Sequence, residues 1–301
     1  MLLTTLVDSF FIYLESEKNM AQHTIKSYNS DWMDFFAFLE QEMGYNLDCL
    51  ELEKIDHSVI RKYLIHLNKK ELAKPTIARR LAALRSFYRY LIKKEILAQN
   101  PLKDVSTPKI PKKLPRYLEQ DEISKVLEQP ALSEGAGLRD KAVLELLYAA
   151  GMRVSELAGL DLENIDLSYG YVRVLGKGGR ERLIPLGRKA AAALAVYLEK
   201  VRPLWNTQKS KALFLNQRGG RLSDRSIRSI VKKYCLLASV RECVSPHGFR
   251  HSFASHLLDN GADLRVVQEL LGHKKISSTQ VYTHVSRSQL RKVYHLAHPR
   301  A

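Results

Sequence analysis

Residues 245–273 read SPHGFRHSFASHLLDNGADLRVVQELLGH, and this stretch decides the class of the fold. Ser245 is a natural N-cap and Pro246 suits a first helical position, so a helix is predicted over 246–259 with His247 in its first turn. Arg250, three residues on, falls on the same side. The N-terminal end of such a helix carries a positive partial charge that attracts phosphate. His251 lies near that face and reads as the more structural of the two histidines. A second helix is predicted over 263–271, stopped by Gly272, with His273 immediately beyond it.

The segments on either side supply more groups of the same chemistry. GMRVSEL (151–157) sets Arg153 and Glu156 three residues apart in a helix starting after Gly151. Arginine suits bidentate phosphate binding, and a carboxylate beside it would hold its orientation. YVRVL (171–175) and ERLIPL (181–186) alternate as strands around the turn GKGGR and predict a hairpin. Its turn carries Lys177, placed to act as a general acid. STQVYTHV (278–285) predicts a short helix with Tyr282, whose phenol has no neighbouring rival. Further helices are predicted after Glu119 and over 138–150, 187–202, 223–238, 276–284 and 287–296. The class is mostly α with one small β-sheet.

The first hundred residues read as helices throughout. Leu2, Leu6, Phe10, Tyr13 and Leu14 fall at helical spacing, as do Tyr28, Trp32, Phe35, Phe36 and Leu39. A third helix is predicted over 56–67 with Asp56 as N-cap. The fourth starts at Pro75, with Ile77, Leu81, Leu84, Tyr88, Leu91 and Ile92 on its apolar stripe. Its other faces carry Arg79, Arg80, Arg85, Arg89 and Lys93, a basic surface suited to DNA-backbone contact. Prolines at 101, 108, 111 and 115 then predict an extended basic connector. The expected organisation is a helical DNA-binding domain over 1–98, a linker over 99–116 and a catalytic domain over 117–301.

Composition narrows the partner and the compartment. The 301 residues carry a net charge of +16. Residues 1–107 hold 15 Lys+Arg against 14 Asp+Glu, so +15 resides in 108–301 with the chemical set. Such an excess points to a polyanion, most simply nucleic acid. Three cysteines, Cys49, Cys235 and Cys243, lack metal-ligand spacing and read as reduced thiols. The opening MLLTTLVDSFFIYLESE has no basic leader region, and no run reaches the about 20 apolar residues of a membrane span. A cytoplasmic location, no metal site, and no cofactor are expected. A GxxxxGK[ST] nucleotide loop is absent from the sequence.

The order Arg153, Lys177, His247-x-x-Arg250, His273 and Tyr282, with its surrounding segments, closely resembles the tyrosine recombinase (phage integrase) family, and within it the bacterial Xer type. The resemblance covers essentially the whole chain. It implies a SAM-like helical core-binding domain followed by an α+β catalytic domain. It also implies metal- and ATP-independent strand transfer through a 3′-phosphotyrosyl enzyme, with Tyr282 as nucleophile. The implied partners are a specific double-stranded DNA site, a homotetramer or a heterotetramer with a paralogous recombinase, and an FtsK-type translocase. The implied role is chromosome-dimer resolution at cell division. A mobile-element integrase, a monomeric type IB topoisomerase activity and a silent DNA-binding regulator are the alternatives. The final segment from Ser288 is a candidate for docking into a neighbouring subunit or onto its own domain.

Overall fold

The apolar spacing of the first hundred residues resolves into four helices: α1 (Leu3–Ser16), α2 (Gln22–Gln41), α3 (His57–Lys69) and α4 (Lys74–Lys93). This computed structural model describes every residue except 19, 110–116, 177, 178, 180, 241–243 and 273–285, together with the side chain at 287. Asp56 caps α3 as expected, accepting a hydrogen bond from Val59 N at 3.0 Å. The helices close on an aromatic centre in which Phe87 packs edge-to-face with Trp32 at 4.8 Å and with Phe10 at 5.6 Å between ring centroids. Such contacts contribute about 0.5–1.5 kcal/mol beyond area burial. Most of the predicted apolar positions are buried, among them Leu6, Phe10, Trp32, Phe35, Leu81 and Leu91, and the stripes differ only at their margins. Leu3 and Phe38 are buried, whereas Leu2 and Ile92 are exposed.

The proline-rich connector begins as packed chain. Leu102 and Val105 are buried in the first core, so the chain up to there packs with the helices. Proline forbids a helix but not burial of the apolar residues between prolines. The compact units divide as Met1–Lys113 and Leu114–Ala301.

The second unit is built around α6 (Gly135–Ala150), where every residue from Ala142 to Ala150 is buried. A helix apolar all round belongs at a core's centre. Around it lie α5 (Gln120–Glu128), α7 (Val154–Gly159), α8 (Arg188–Lys200), α9 (Arg202–Trp205), α10 (Asp224–Leu237), α11 (Pro246–Asp259), α12 (Leu264–Leu271) and α13 (Arg287–Ala297). The sheet has three antiparallel strands in the order β1 (Ile165–Asp166), β2 (Tyr171–Leu175), β3 (Glu181–Pro185). Its first, two-residue strand is one more than the predicted hairpin. Val172 pairs with Ile184 and Val174 with Arg182, which fixes the inward face. The predicted helix over 276–284 lies outside the described residues.

The last helix docks on its own unit. Tyr294 is fully buried and its hydroxyl accepts a hydrogen bond from Gly187 N at 3.2 Å. Beyond α13, the Arg300 guanidinium grips the buried Glu145 carboxylate of α6 with bonds of 2.6 and 3.1 Å.

Candidate active site

Two left-handed glycines aim the site. Gly151 ends α6 at φ +53°, and a Cβ there would stand 2.3 Å from Phe253 of α11. Only glycine turns the chain this close to α11, which brings Arg153 to the N-cap of α7. Gly272 ends α12 at φ +66°, where a Cβ would meet the Arg182 side chain at 3.2 Å.

Arg153 is nearly half exposed, at 46%, and is tied through both its backbone and its guanidinium. Its backbone N–H donates to Glu156 Oε2 at 2.8 Å and its Nη1 to Oε1 at 2.8 Å. The expected orienting carboxylate is therefore in place. Burial alone would raise the Glu156 carboxyl, but hydrogen bonds from Arg182 and Arg153 outweigh it and hold the group below its ordinary value. A carboxylate ionised at neutral pH results.

Arg250 behaves differently from a freely exposed phosphate binder. It is buried, and its Nη1 and Nη2 donate to the carbonyls of Gly151 at 2.8 Å and Leu271 at 2.7 Å. It thus clamps the end of α6 to the end of α12. Desolvation, with the neighbouring Arg153 charge, lowers its pKa to about 10, so it remains a cation at neutral pH. His247 stands exposed in the first turn of α11. Ser245 takes the N-cap position, yet its side chain makes no capping bond.

Arg182 was not predicted. Its Nη1 and Nη2 reach the two Glu156 oxygens at 3.2 and 2.7 Å, and its Nε reaches Leu270 O at 3.0 Å. The signal was present in the strand phase: Arg182 shares the inward face with Ile184 and stands opposite buried Val174. An inward arginine requires a buried partner. The structure thus brings Arg153, Arg250, Glu156 and Arg182 together. Lys177, His273 and Tyr282 lie outside the described residues.

The basic residues of α4 are placed less uniformly. Arg79 ion-pairs with buried Asp31, while Arg80 pairs with Asp34 at 2.5 Å and is mostly buried. Arg85 donates to Thr107 Oγ1 at 2.5 Å and to the Val105 carbonyl, fastening the connector to the helix. Arg89 is exposed, with Nε on Arg85 O at 3.3 Å. Lys93 stands 3.7 Å from Glu17 and over the Tyr13 ring at 5.0 Å. Among the described residues no cluster of His, Cys, Asp or Glu is arranged to hold a metal, and no helix is long and apolar enough to cross a membrane.

A helical first unit is thus followed by an α+β unit that gathers arginines around one carboxylate between the ends of α6 and α12. The phage integrase family profile matches residues 116–289, and the profile of the phage integrase N-terminal SAM-like domain matches 7–95. Tyrosine recombinase XerC of Pelotomaculum thermopropionicum is 50% identical over 300 residues, spanning 98% of each chain. Tyrosine recombinase XerD of Staphylococcus epidermidis is 43% identical, spanning 99% of this chain and 100% of that one. Among solved structures, XerH recombinase bound to difH substrate in a pre-cleavage complex has a TM-score of 0.65 at 25% identity, over 91% of this chain and 80% of that one. A lambda integrase tetramer on a Holliday junction shares the fold alone, with a TM-score of 0.67 at 20% identity over 91% and 75% of the two chains. The chain belongs to the phage integrase family. It is an enzyme of the tyrosine recombinase class, a site-specific recombinase with relatives of the Xer type.

Proposed function

We propose that this chain cuts and rejoins double-stranded DNA at a specific site through a 3′-phosphotyrosyl intermediate, and that it resolves chromosome dimers at cell division. The observation that carries the reading is the excess of positive charge around Glu156: the guanidiniums of Arg153 and Arg182 bind this single carboxylate, and the Arg250 guanidinium stands near enough to feel its charge while bonded to carbonyls alone. Such a cluster has charge left over for a phosphate.

In the proposed reaction the Tyr282 phenol oxygen attacks the scissile phosphorus. The bond from phosphorus to the 5′ oxygen breaks, and the 3′ phosphate stays on the tyrosine. Lys177 gives a proton to the departing 5′ oxygen, while His247 assists removal of the phenol proton. An ordinary phenol has a pKa of about 10, so cationic surroundings must lower the cost of ionising it at neutral pH. Arg153, Arg250 and His273 stabilise the charge that grows on the non-bridging oxygens. Arg153 is the exposed member and makes the direct approach, while Arg250 contributes from its clamp. A 5′ hydroxyl from the partner duplex reverses the step, and the phosphodiester energy is kept in the covalent link.

Recombination of this kind joins two duplexes in a tetramer, either of one chain or with a paralogous recombinase. A relative solved on DNA, XerH on its difH substrate, supports the DNA partner. Residues 1–98 form the core-binding domain, 99–116 the connector and 117–301 the catalytic domain, all acting in the cytoplasm under an FtsK-type translocase. Arg79, Arg80, Arg85, Arg89 and Lys93 line the core-binding domain's DNA face, with Arg79, Arg89 and Lys93 the exposed members.

The test is incubation with nicked duplexes carrying candidate chromosome-dimer resolution sites. A covalent protein–DNA band is expected from the wild type and none from Tyr282→Phe, with duplex binding kept. A band from both, or equal loss of binding and cleavage, would overturn the assignment.

A further inference from the structure

Arg182 has no part in the reaction as described, yet it is the most fully bonded side chain near it. It lies on the inward face of β3 with its side chain about one-tenth exposed, and all three of its guanidinium nitrogens are engaged. Two of them fork onto both oxygens of Glu156. Those same oxygens hold the Arg153 backbone and side chain. The third nitrogen fixes the carbonyl of Leu270, next to the Leu271 carbonyl held by Arg250. One guanidinium therefore ties β3, the N-terminal turn of α7 and the last turn of α12.

We infer that Arg182 is a positioning residue for the cleavage step, acting on the scissile phosphate through Glu156 and Arg153. This inference rests on the reaction proposed above. The physical argument concerns freedom of motion. A side chain as exposed as Arg153 would sample many rotamers, and holding it in one is costly in entropy. Glu156 restrains it only if the carboxylate plane is itself fixed, and a bidentate fork fixes a plane where a single contact leaves it free to rotate. Lysine offers a point charge and cannot replace the fork. Small displacements of a phosphate-binding group are costly in rate, of order a hundredfold for about 1 Å. A purely structural ion pair predicts something else: buried pairs are often replaceable without loss of function.

The experiment measures single-turnover covalent cleavage of a nicked duplex at saturating protein, with duplex affinity and melting temperature alongside. The variants are Arg182→Ala, Arg182→Lys, Arg153→Ala and the double alanine. Arg182→Ala should lose about 10–100-fold in cleavage rate with little change in affinity, the scale typical of residues that orient a functional group. Arg182→Lys should melt near the wild type yet keep most of the rate loss. The double variant should cleave no more slowly than Arg153→Ala alone, because the two residues act in series. Full activity in Arg182→Lys, or losses that multiply in the double variant, would overturn the inference. If Arg182→Ala fails to fold, Arg182→Lys decides the question by the same rate. Cleavage at wild-type rate by Arg153→Ala would instead sink the reaction's assignment of Arg153, a separate result.

Discussion

Arginine is used in opposite ways in the two units of this chain. On α4, Arg79 and Arg80 face Asp31 and Asp34 of α2, two bases against two acids, and the charge is cancelled in place. Around Glu156, Arg153 and Arg182 share one acid, and the neighbouring Arg250 is bonded to neutral carbonyls alone. Counting basic residues along a sequence treats the two sets alike. A ligand anion distinguishes them, because only the second cluster has charge left over. Sites for phosphate are found where cations outnumber the carboxylates within reach.

The largest effect that could break this contrast comes from Arg250. Replacing it with alanine removes a cation from the site and leaves the Gly151 and Leu271 carbonyls without their donors. Cleavage should fall by about a hundredfold or more, and stability by about 2–4 kcal/mol from two orphaned buried acceptors. Rapid quench and thermal melting check the two parts. A loss in only one of them would show that clamp and charge are separable roles.

Acid should divide the two units. His298 is buried, stacked on Tyr294 at 4.8 Å, and its Nδ1 accepts from Arg300 N. Desolvation lowers its pKa to about 3, and burial lowers that of His256 as well. Both are therefore neutral when folded and take up a proton on unfolding. The unfolded chain binds more protons between pH about 3 and 6.5, so stability is lost as pH falls through that window. Near pH 5 the loss from His298 alone should be about 2 kcal/mol. The first unit's His23, His57 and His66 are exposed or half-buried. Trp32 and Trp205 report the units separately, one in each. Fluorescence of Trp32→Phe, reporting Trp205, should show the acid transition at higher pH than Trp205→Phe does. His298→Phe should flatten it.

The smallest effect is on α4. Arg79 is 44% exposed, so Arg79→Ala should change stability by no more than about 1 kcal/mol. If Arg79 nonetheless reaches a DNA phosphate, the slope of log affinity against log salt should shrink by about 1. An unchanged slope would mean that its pairing with Asp31 removes it from the interface.

Much of this was legible in the sequence because it is local. The strand over 171–175, the helix over 246–259, the Asp56 cap and the Arg153–Glu156 pair each depend on residues within a few positions. What escaped depends on distance along the chain. Arg182 finds its carboxylate 26 residues away on a helix, and no spacing rule links a strand to it. Asp31 and Asp34 lie on α2, so a count along α4 could not see its charge cancelled. Leu102 and Val105 sit among prolines that announce an extended chain, and extended chain packs into a core as readily as it spans solvent.

The most direct test of the account is to trap the covalent protein–DNA adduct on a nicked duplex, digest both components, and find by mass spectrometry which peptide carries the nucleotide. The predicted result is a nucleotide on Tyr282 in the peptide spanning STQVYTHV. A nucleotide on any other residue would contradict the account.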